Sequence, residues 1–313
     1  KDDSGASTVW RKTSFTYYAN GQPHKVTSPD GAVVETQYDQ AGRPEYSIDP
    51  VGRKSKTIYL ADGKVDHILR AVGTPLEMTY QRYAYSDNGL PLWVQDANGN
   101  RTTYHYGRFD RLVETRFPIK ANKNQQASDP SDNELYTYDA FGNVDTYTDK
   151  NGNTITNDYN ELNQLVSSIS PEVWVTTDVV SDTRIFTALE TTYQYDAFGN
   201  QTHTIQAANL TGQSTTTELV YDALNRQVQV IAPEIDIYNK DTDTTTTQNP
   251  TISKEYDASG NVIKQTDANG NSSYIYYDNL NRQTATVDAA GALTEFSYDQ
   301  AGNVSVQKAY ADK

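Results

Sequence analysis

The chain has 313 residues, with 41 Asp and Glu against 26 Lys and Arg, a net charge of −15 and no cysteine. That balance argues against nucleic acid, which needs clustered cations to neutralise phosphates, and against an anionic membrane surface. No run approaches the roughly 18 apolar residues of a spanning helix, so no membrane insertion is expected, and without thiols there is no disulfide, thiolate metal site or cysteine nucleophile.

The composition pulls two ways. Hydrophobic content of 36% and a mean hydropathy of −0.75 lean toward disorder. Yet there are 24 tyrosines, and disordered chains lack aromatics because they have nothing to pack. A repeat resolves the conflict.

Residues 1–12 precede it and read as a lead-in or strand remnant. Residues 13–313 then carry twelve repeats, anchored at Tyr17, Tyr38, Tyr59, Tyr85, Tyr106, Tyr138, Tyr159, Tyr195, Tyr221, Tyr256, Tyr277 and Tyr298. Six of the eleven intervals are 21 residues long. Four residues after every anchor stands Gly, Asn or Asp, the residues that tolerate a left-handed backbone. In seven repeats Asp follows the tyrosine directly, as in Tyr138-Asp-Ala-Phe-Gly. Such an Asp accepts a backbone N–H two residues on, so the spacing predicts a tight hairpin turn ending in a positive-φ residue. In the 21-residue intervals a second glycine sits fourteen residues after the tyrosine, at Gly31, Gly52, Gly99, Gly152, Gly270 and Gly291. Each such unit therefore holds two turns and two strands of about six residues. Segments such as Asn143–Asp149 and Gly152–Tyr159, rich in Thr, Val, Ile and Tyr, suit strands. Gly or Asn every ten residues would break any helix.

Two residues before the anchor, eight repeats carry a large apolar or aromatic group, from Phe15 to Phe296. Period 2 puts both positions on one sheet face, and aromatic ladders across successive hairpins are expected, each pair worth ~0.2–1 kcal/mol. The five longer intervals take their extra residues after Arg70, Phe117, Ser170, Gln206 and Ala232, always replacing the second turn. All long loops should lie along one rim. Within them, Val173–Thr177 and Thr183–Thr187 suggest an extra short hairpin, whereas the Thr- and Asp-rich 241–248 reads as a polar, solvated stretch.

About 24 strands at ~4.8 Å each would make a sheet ~115 Å across. Open twisted sheets rarely exceed ~10 strands without curling. The expected fold is therefore all-β, a solenoid made of one long antiparallel hairpin sheet coiled into a superhelical, open shell. Its exposed end strands predict end-to-end pairing between copies. No composition break marks a domain boundary.

Tyr138-Asp-Ala-Phe-Gly-Asn, Tyr256-Asp-Ala-Ser-Gly-Asn and Tyr298-Asp-Gln-Ala-Gly-Asn, phased with Asp149-Lys-Asn-Gly-Asn and Asp267-Ala-Asn-Gly-Asn, resemble the Tyr-Asp (YD) repeats of bacterial Rhs proteins, Tc toxin B and C components and animal teneurins. The resemblance covers about residues 15 to 310. It implies a spiralling β-sheet shell, which in the bacterial members encloses a C-terminal toxin polypeptide and in teneurins supports cell-surface adhesion. It implies as partners an encapsulated toxin polypeptide or other segments of a parent shell. It also implies a secreted or cell-surface bacterial protein, held in the cytoplasm before export. The chain departs from the family in lacking the Rhs-core ending with its self-cleavage aspartate, and twelve repeats are few for a closed shell.

Sites of chemistry are sparse. The Asp-x-Asn-Gly-Asn runs at 96–100, 149–153 and 267–271 match half of a calcium loop but lack its remaining ligands, and turn chemistry accounts for them. His24, His67, His105 and His203 fall at scattered phases without metal-ligand spacing, and no nucleophile elbow or marked carboxylate pair appears. The expectation is no enzyme, no cofactor and no metal. Trp10, Trp93 and Trp174 are the best candidates for stacking on a sugar, Trp174 foremost because it lies in a rim insertion. The alternative function is accordingly a cell-surface adhesion or carbohydrate-binding module that meets glycans through its rim loops.

Overall fold

The computed structural model describes residues 10–118, 132–178 and 182–310. In chain order the strands are β1 (Trp10–Tyr17), β2 (Pro23–Thr27), β3 (Val33–Tyr38), β4 (Pro44–Ile48), β5 (Lys54–Tyr59), β6 (Val65–Arg70), β7 (Met78–Tyr85), β8 (Pro91–Asp96) and β9 (Arg101–Tyr106). They continue as β10 (Leu112–Arg116), β11 (Asn133–Tyr138), β12 (Val144–Thr148), β13 (Thr154–Tyr159), β14 (Leu165–Ile169), β15 (Val173–Asp178), β16 (Thr183–Thr187), β17 (Glu190–Tyr195), β18 (Gln201–Gln206) and β19 (Thr215–Tyr221). The last are β20 (Gln227–Ile231), β21 (Ile235–Asn239), β22 (Thr244–Gln248), β23 (Thr251–Tyr256), β24 (Val262–Thr266), β25 (Ser272–Tyr277), β26 (Gln283–Val287), β27 (Leu293–Tyr298) and β28 (Val304–Tyr310). One short 3-10 turn, Arg108–Asp110, lies between β9 and β10.

The fold is all-β and antiparallel, as the turn spacing requires. Every repeat tyrosine closes a strand. β1 takes in Trp10–Lys12, part of the segment expected as lead-in, while residues 1–9 lie outside the described residues.

Two compact units result, one formed by residues through 84, 94–99 and from 254 on, the other by 85–93 and 100–253. In the first, sequential pairing runs from β1 to β7 and from β24 to β28. Here one expectation is corrected. The terminal strands are not free, because β1 pairs with β28 from Trp10↔Tyr310 to Ser14↔Val306. An unpaired edge leaves a row of N–H and C=O groups without ladder partners, and the chain's own other end supplies them.

In the second unit, sequential pairing runs from β9 to β14, passes directly to β17, continues to β20 and passes directly to β23. The skipped segments are the insertions. β15 and β16 form their own ribbon, as the pattern at 173–187 predicts. β21 and β22 form another, so the threonine-rich segment is a paired strand and also a polar, solvated one, Thr244–Gln248 being exposed throughout. Both ribbons sprout where a second turn would stand.

The sheet is a single layer. Among the described residues no hydrophobic side chain is fully buried, and Thr115, 5% exposed, is the one buried polar residue. Apolar burial is therefore shared thinly among half-covered strand residues. Turns and hydrogen bonds must carry more of the order than in a two-layer domain.

Candidate functional site

The repeating element is the junction between one hairpin and the next, and it begins at the turn. In the Tyr38 repeat, Asp39 N–H donates to the Arg43 carbonyl at 2.9 Å and Gly42 N–H to the Asp39 carbonyl at 3.0 Å. The Asp39 Oδ1 accepts the Ala41 and Arg43 amides, both at 2.9 Å. This is a type I turn closed by a left-handed residue, and the strand register shifts at the tyrosine, as a bulge requires. All twelve residues four past a repeat tyrosine have positive φ, including Asn163, Asn225, Asn281 and Asp110 at 57–59°. So do the six second-turn glycines.

Second turns use the same circuit. Asp149 Oδ1 accepts the Asn151 and Asn153 amides at 2.8 and 2.9 Å, and its Oδ2 accepts the Asn153 side-chain amide at 3.0 Å. Asp267 is held likewise by Asn269 and Asn271. The calcium-like runs at these two positions thus already have both carboxylate oxygens engaged by their own turn. That engagement holds Asp149 below the ordinary carboxylate range, the Asn153 side chain contributing most. Asp39 is lowered too, by the Arg43 backbone amide first and its guanidinium next.

The junction proper lies where the ladder between repeats stops. β4 and β5 pair only from Tyr46↔Lys56 to Ile48↔Lys54, leaving Pro44 beyond the ladder. The Tyr59 hydroxyl donates to the Pro44 carbonyl at 2.7 Å. The same offset recurs along the chain: Tyr138 to Leu112, Tyr159 to Val144, Tyr195 to Leu165 and Tyr221 to Gln201, at 2.7, 3.2, 2.8 and 3.0 Å. Tyr277 reaches Val262 at 3.2 Å and Tyr298 reaches Gln283 at 2.6 Å. Each acceptor lies six residues past the preceding repeat tyrosine. The phenol is a long rigid strut, so one hydroxyl restores the rung that splayed strands have lost.

This corrects the expected aromatic ladder. Successive repeat tyrosines stand two strands apart, ~9.6 Å, beyond the 4.5–7 Å of ring contact. Aromatic pairs do form, as between Tyr136 and Tyr147 at 5.1 Å. The sequence carried a sign of the hydroxyl's role, since the position two residues earlier accepts Phe, Leu, Ile or Tyr.

A second link joins neighbouring turns, made by the residue five past the tyrosine. At Asn143, Asn200 and Asn261 the side-chain amide bonds the next turn, at Asn163, Asn225 and Asn281 respectively, each at 3.0 Å. Arg43 and Arg282 at this position instead pair with their own turn aspartates, Asp39 and Asp278, and lie over the next ring. Arg43 sits 4.4 Å from the Tyr59 ring and Arg282 4.5 Å from the Tyr298 ring. Burial, and then the preceding turn's carboxylate, push the Tyr59, Tyr159 and Tyr277 hydroxyls upward.

The structure does not bring the three tryptophans together. Trp174 lies on β15, 69% exposed, opposite the 51% exposed Phe186 on β16, with ring centroids 5.2 Å apart and tilted by 48°. Trp93 is half-buried under the Arg101 guanidinium, 4.2 Å from its ring. The Trp10 side chain lies outside the described residues. His24 contacts Tyr18 and Glu35, His67 contacts Asp66 and His203 contacts Thr202. Among the described residues no cluster of His, Asp and Glu is arranged to hold a metal, and no helix is long and apolar enough to cross a membrane.

Three comparisons bear on this architecture. The family described as RHS Repeat matches residues 17–54, 256–293 and 277–313. Teneurin-4 of Mus musculus is 28% identical over 105 residues, and Teneurin-4 of Homo sapiens 27% over 105, in each case 34% of this chain and 4% of the relative. The crystal structure of TcdB2-TccC3-Cdc42 is similar over 96% of this chain and 16% of that one, at 16% identity and a TM-score of 0.50. The chain therefore spans only a small part of the length of each.

Proposed function

Because the chain belongs to the Tyr-Asp (RHS) repeat family, we propose that it is a segment of a non-catalytic shell that encloses a toxin polypeptide for delivery. The observation that carries the reading is the single-layer sheet. Its described residues include no buried hydrophobic side chain, and its continuity rests on turn and hydroxyl bonds. A wall needs continuity and closed turns, and it needs no reacting group. Its faces meet a cargo through weak, sequence-tolerant contacts, and a net charge of −15 keeps it from clinging to nucleic acid or anionic lipid. Its partners are the enclosed polypeptide and further segments of the parent shell. Its place is secreted or at the cell surface, after a cytoplasmic stage.

The test is protease challenge of the full-length parent chain. Cuts should fall in the rim insertions, and any polypeptide following the repeats should survive until denaturant opens the sheet. Early loss of that polypeptide, with the hairpins still intact, would reject containment.

The paired, exposed rings of Trp174 and Phe186 favour a second reading, carbohydrate-mediated adhesion, because flat aromatic faces stack on sugars. A glycan array separates the two. Reproducible hits lost on Trp174→Ala support adhesion, and silence leaves containment.

A further inference from the structure

Three residues past the repeat tyrosine lies the tip of the first turn. In the unit formed by 85–93 and 100–253, five successive tips are Phe109, Phe141, Leu162, Phe198 and Leu224, between 71% and 83% exposed. The equivalent residues of the other seven repeats are Asn20, Ala41, Asp62, Asn88, Ser259, Leu280 and Ala301, mostly polar or small. The neighbouring tip positions add Ala140, Ala197 and Ala223. Direct bonds tie the turns together, Asn143 to Asn163 and Asn200 to Asn225, while the Gln164 side chain reaches the Gly199 carbonyl at 3.5 Å. The five apolar side chains therefore form one row along one rim, at a pitch of ~9.6 Å. The described insertion ribbons, β15–β16 and β21–β22, stand at second turns, at the other end of the strands from the row.

We propose that this rim is a docking surface for a second copy of the same chain, joined rim to rim about a two-fold axis. The row is nearly palindromic. With the axis at Leu162, Leu162 meets its own copy, Phe141 meets Phe198 and Phe109 meets Leu224, so each apolar tip meets an apolar tip at equal pitch. Five large side chains this exposed offer on the order of 700 Å² per copy, close to the ~800 Å² per partner of a standard interface and above the few hundred Å² that monomers ordinarily expose. The turn aspartates do not oppose the contact strongly, since Asp139, Asp196 and Asp222 are turned onto their own turns' amides. Glu161 beside the axis, the exposed Asp110 beside Phe109 and the net −15 of each copy do oppose it. Salt screens this repulsion and strengthens apolar contact, so association rises with ionic strength. The inference is independent of containment and of sugar binding.

Sedimentation velocity across a concentration series, at low and high salt, tests it. The chain is expected to pass from monomer to dimer, further at high salt. Phe141→Asp with Phe198→Asp should weaken dimerisation by about tenfold or more at an unchanged melting temperature. If that pair disturbs folding, Phe141→Ser with Phe198→Ser serves instead. Val51→Asp with Leu76→Asp, equally exposed but off the row, should leave the dimer intact. A chain that stays monomeric at all concentrations overturns the proposal, as does association that the rim substitutions leave unchanged.

Discussion

The Tyr17 hydroxyl donates to the Val304 carbonyl at 2.8 Å, across 287 residues of sequence. Val304 lies six past Tyr298, so the bond repeats the link that Tyr59 makes to Pro44 and Tyr298 makes to Gln283. The first and last repeats thus meet through the same junction that joins sequential neighbours. The Asp299 carboxylate stands to Tyr17 as Asp39 stands to Tyr59, and in both cases burial and then that charge raise the phenol.

Tyr17→Phe should cost about 0.5–1.5 kcal/mol, the usual net value of one hydrogen bond. Tyr59→Phe should cost as much. The two should differ in where protection is lost, β1 and β28 for Tyr17 and β4 and β5 for Tyr59. Amide hydrogen exchange reads this directly, and identical exchange maps for the two variants would refute the junction.

Gly152 and Gly142 both have positive φ, 82° and 99°. A Cβ at Gly152 meets nothing within 4 Å, whereas at Gly142 it would collide with the Arg111 guanidinium. Gly152→Ala should cost roughly 1–2 kcal/mol for the left-handed backbone alone. Gly142→Ala should cost about 0.5–1 kcal/mol more, as Arg111 is driven off the Tyr138 ring that it overlies at 5.4 Å. In an Arg111→Ala background the difference should vanish in a double-mutant cycle of denaturant melts. Ala140→Val, at an exposed tip position, should change little, and an Ala140→Val melt as low as that of Gly142→Val counts against the turn.

Acid should loosen the turns. Asp39, Asp139, Asp149, Asp196, Asp257 and Asp299 all titrate below the ordinary carboxylate value when folded. Their stabilisation is complete above the unfolded value of about 4 and is lost as pH falls through the depressed folded values. The melting temperature should be level near neutrality and decline below about pH 4, more shallowly in Asp149→Asn. A level profile down to pH 2 would contradict this.

Alkali acts on the other set. Tyr17, Tyr59, Tyr159 and Tyr277 are raised by burial first and a neighbouring carboxylate second, and Tyr136 is pushed up to about 12. Their stabilisation is complete below the unfolded value of about 10 and is lost as pH rises through the folded values. Ultraviolet titration should show an early tyrosinate wave and a late one that coincides with unfolding. A single wave near pH 10 in a chain still folded would exclude buried donor hydroxyls.

The sequence made the turns legible because they are local. Asp39, Gly42 and Arg43 lie within five residues of one another, and their geometry follows from residue type alone. The placement of every insertion at the second turn was legible for the same reason, as was the hairpin around Trp174 and Phe186. What stayed hidden depends on splay between strands from different repeats. Nothing in the spacing of Tyr59 and Pro44 says that the ladder stops at Tyr46, so by sequence the ring reads as a stacking group, whereas its hydroxyl does the joining. The pairing of β1 with β28 is likewise a long-range closure, invisible to any local pattern. The row from Phe109 to Leu224 was present in the repeat phase, but only solvent exposure separates a tip from a packed residue.

A sheet one residue thick has no interior jigsaw to preserve. Substituting a strand residue disturbs only its lateral neighbours, so the two surfaces are free to drift apart in charge and polarity while the backbone stays the same. The same framework can therefore carry faces of quite different charge and polarity, provided the turn aspartates, the left-handed residues and the tyrosine hydroxyls stay where they are.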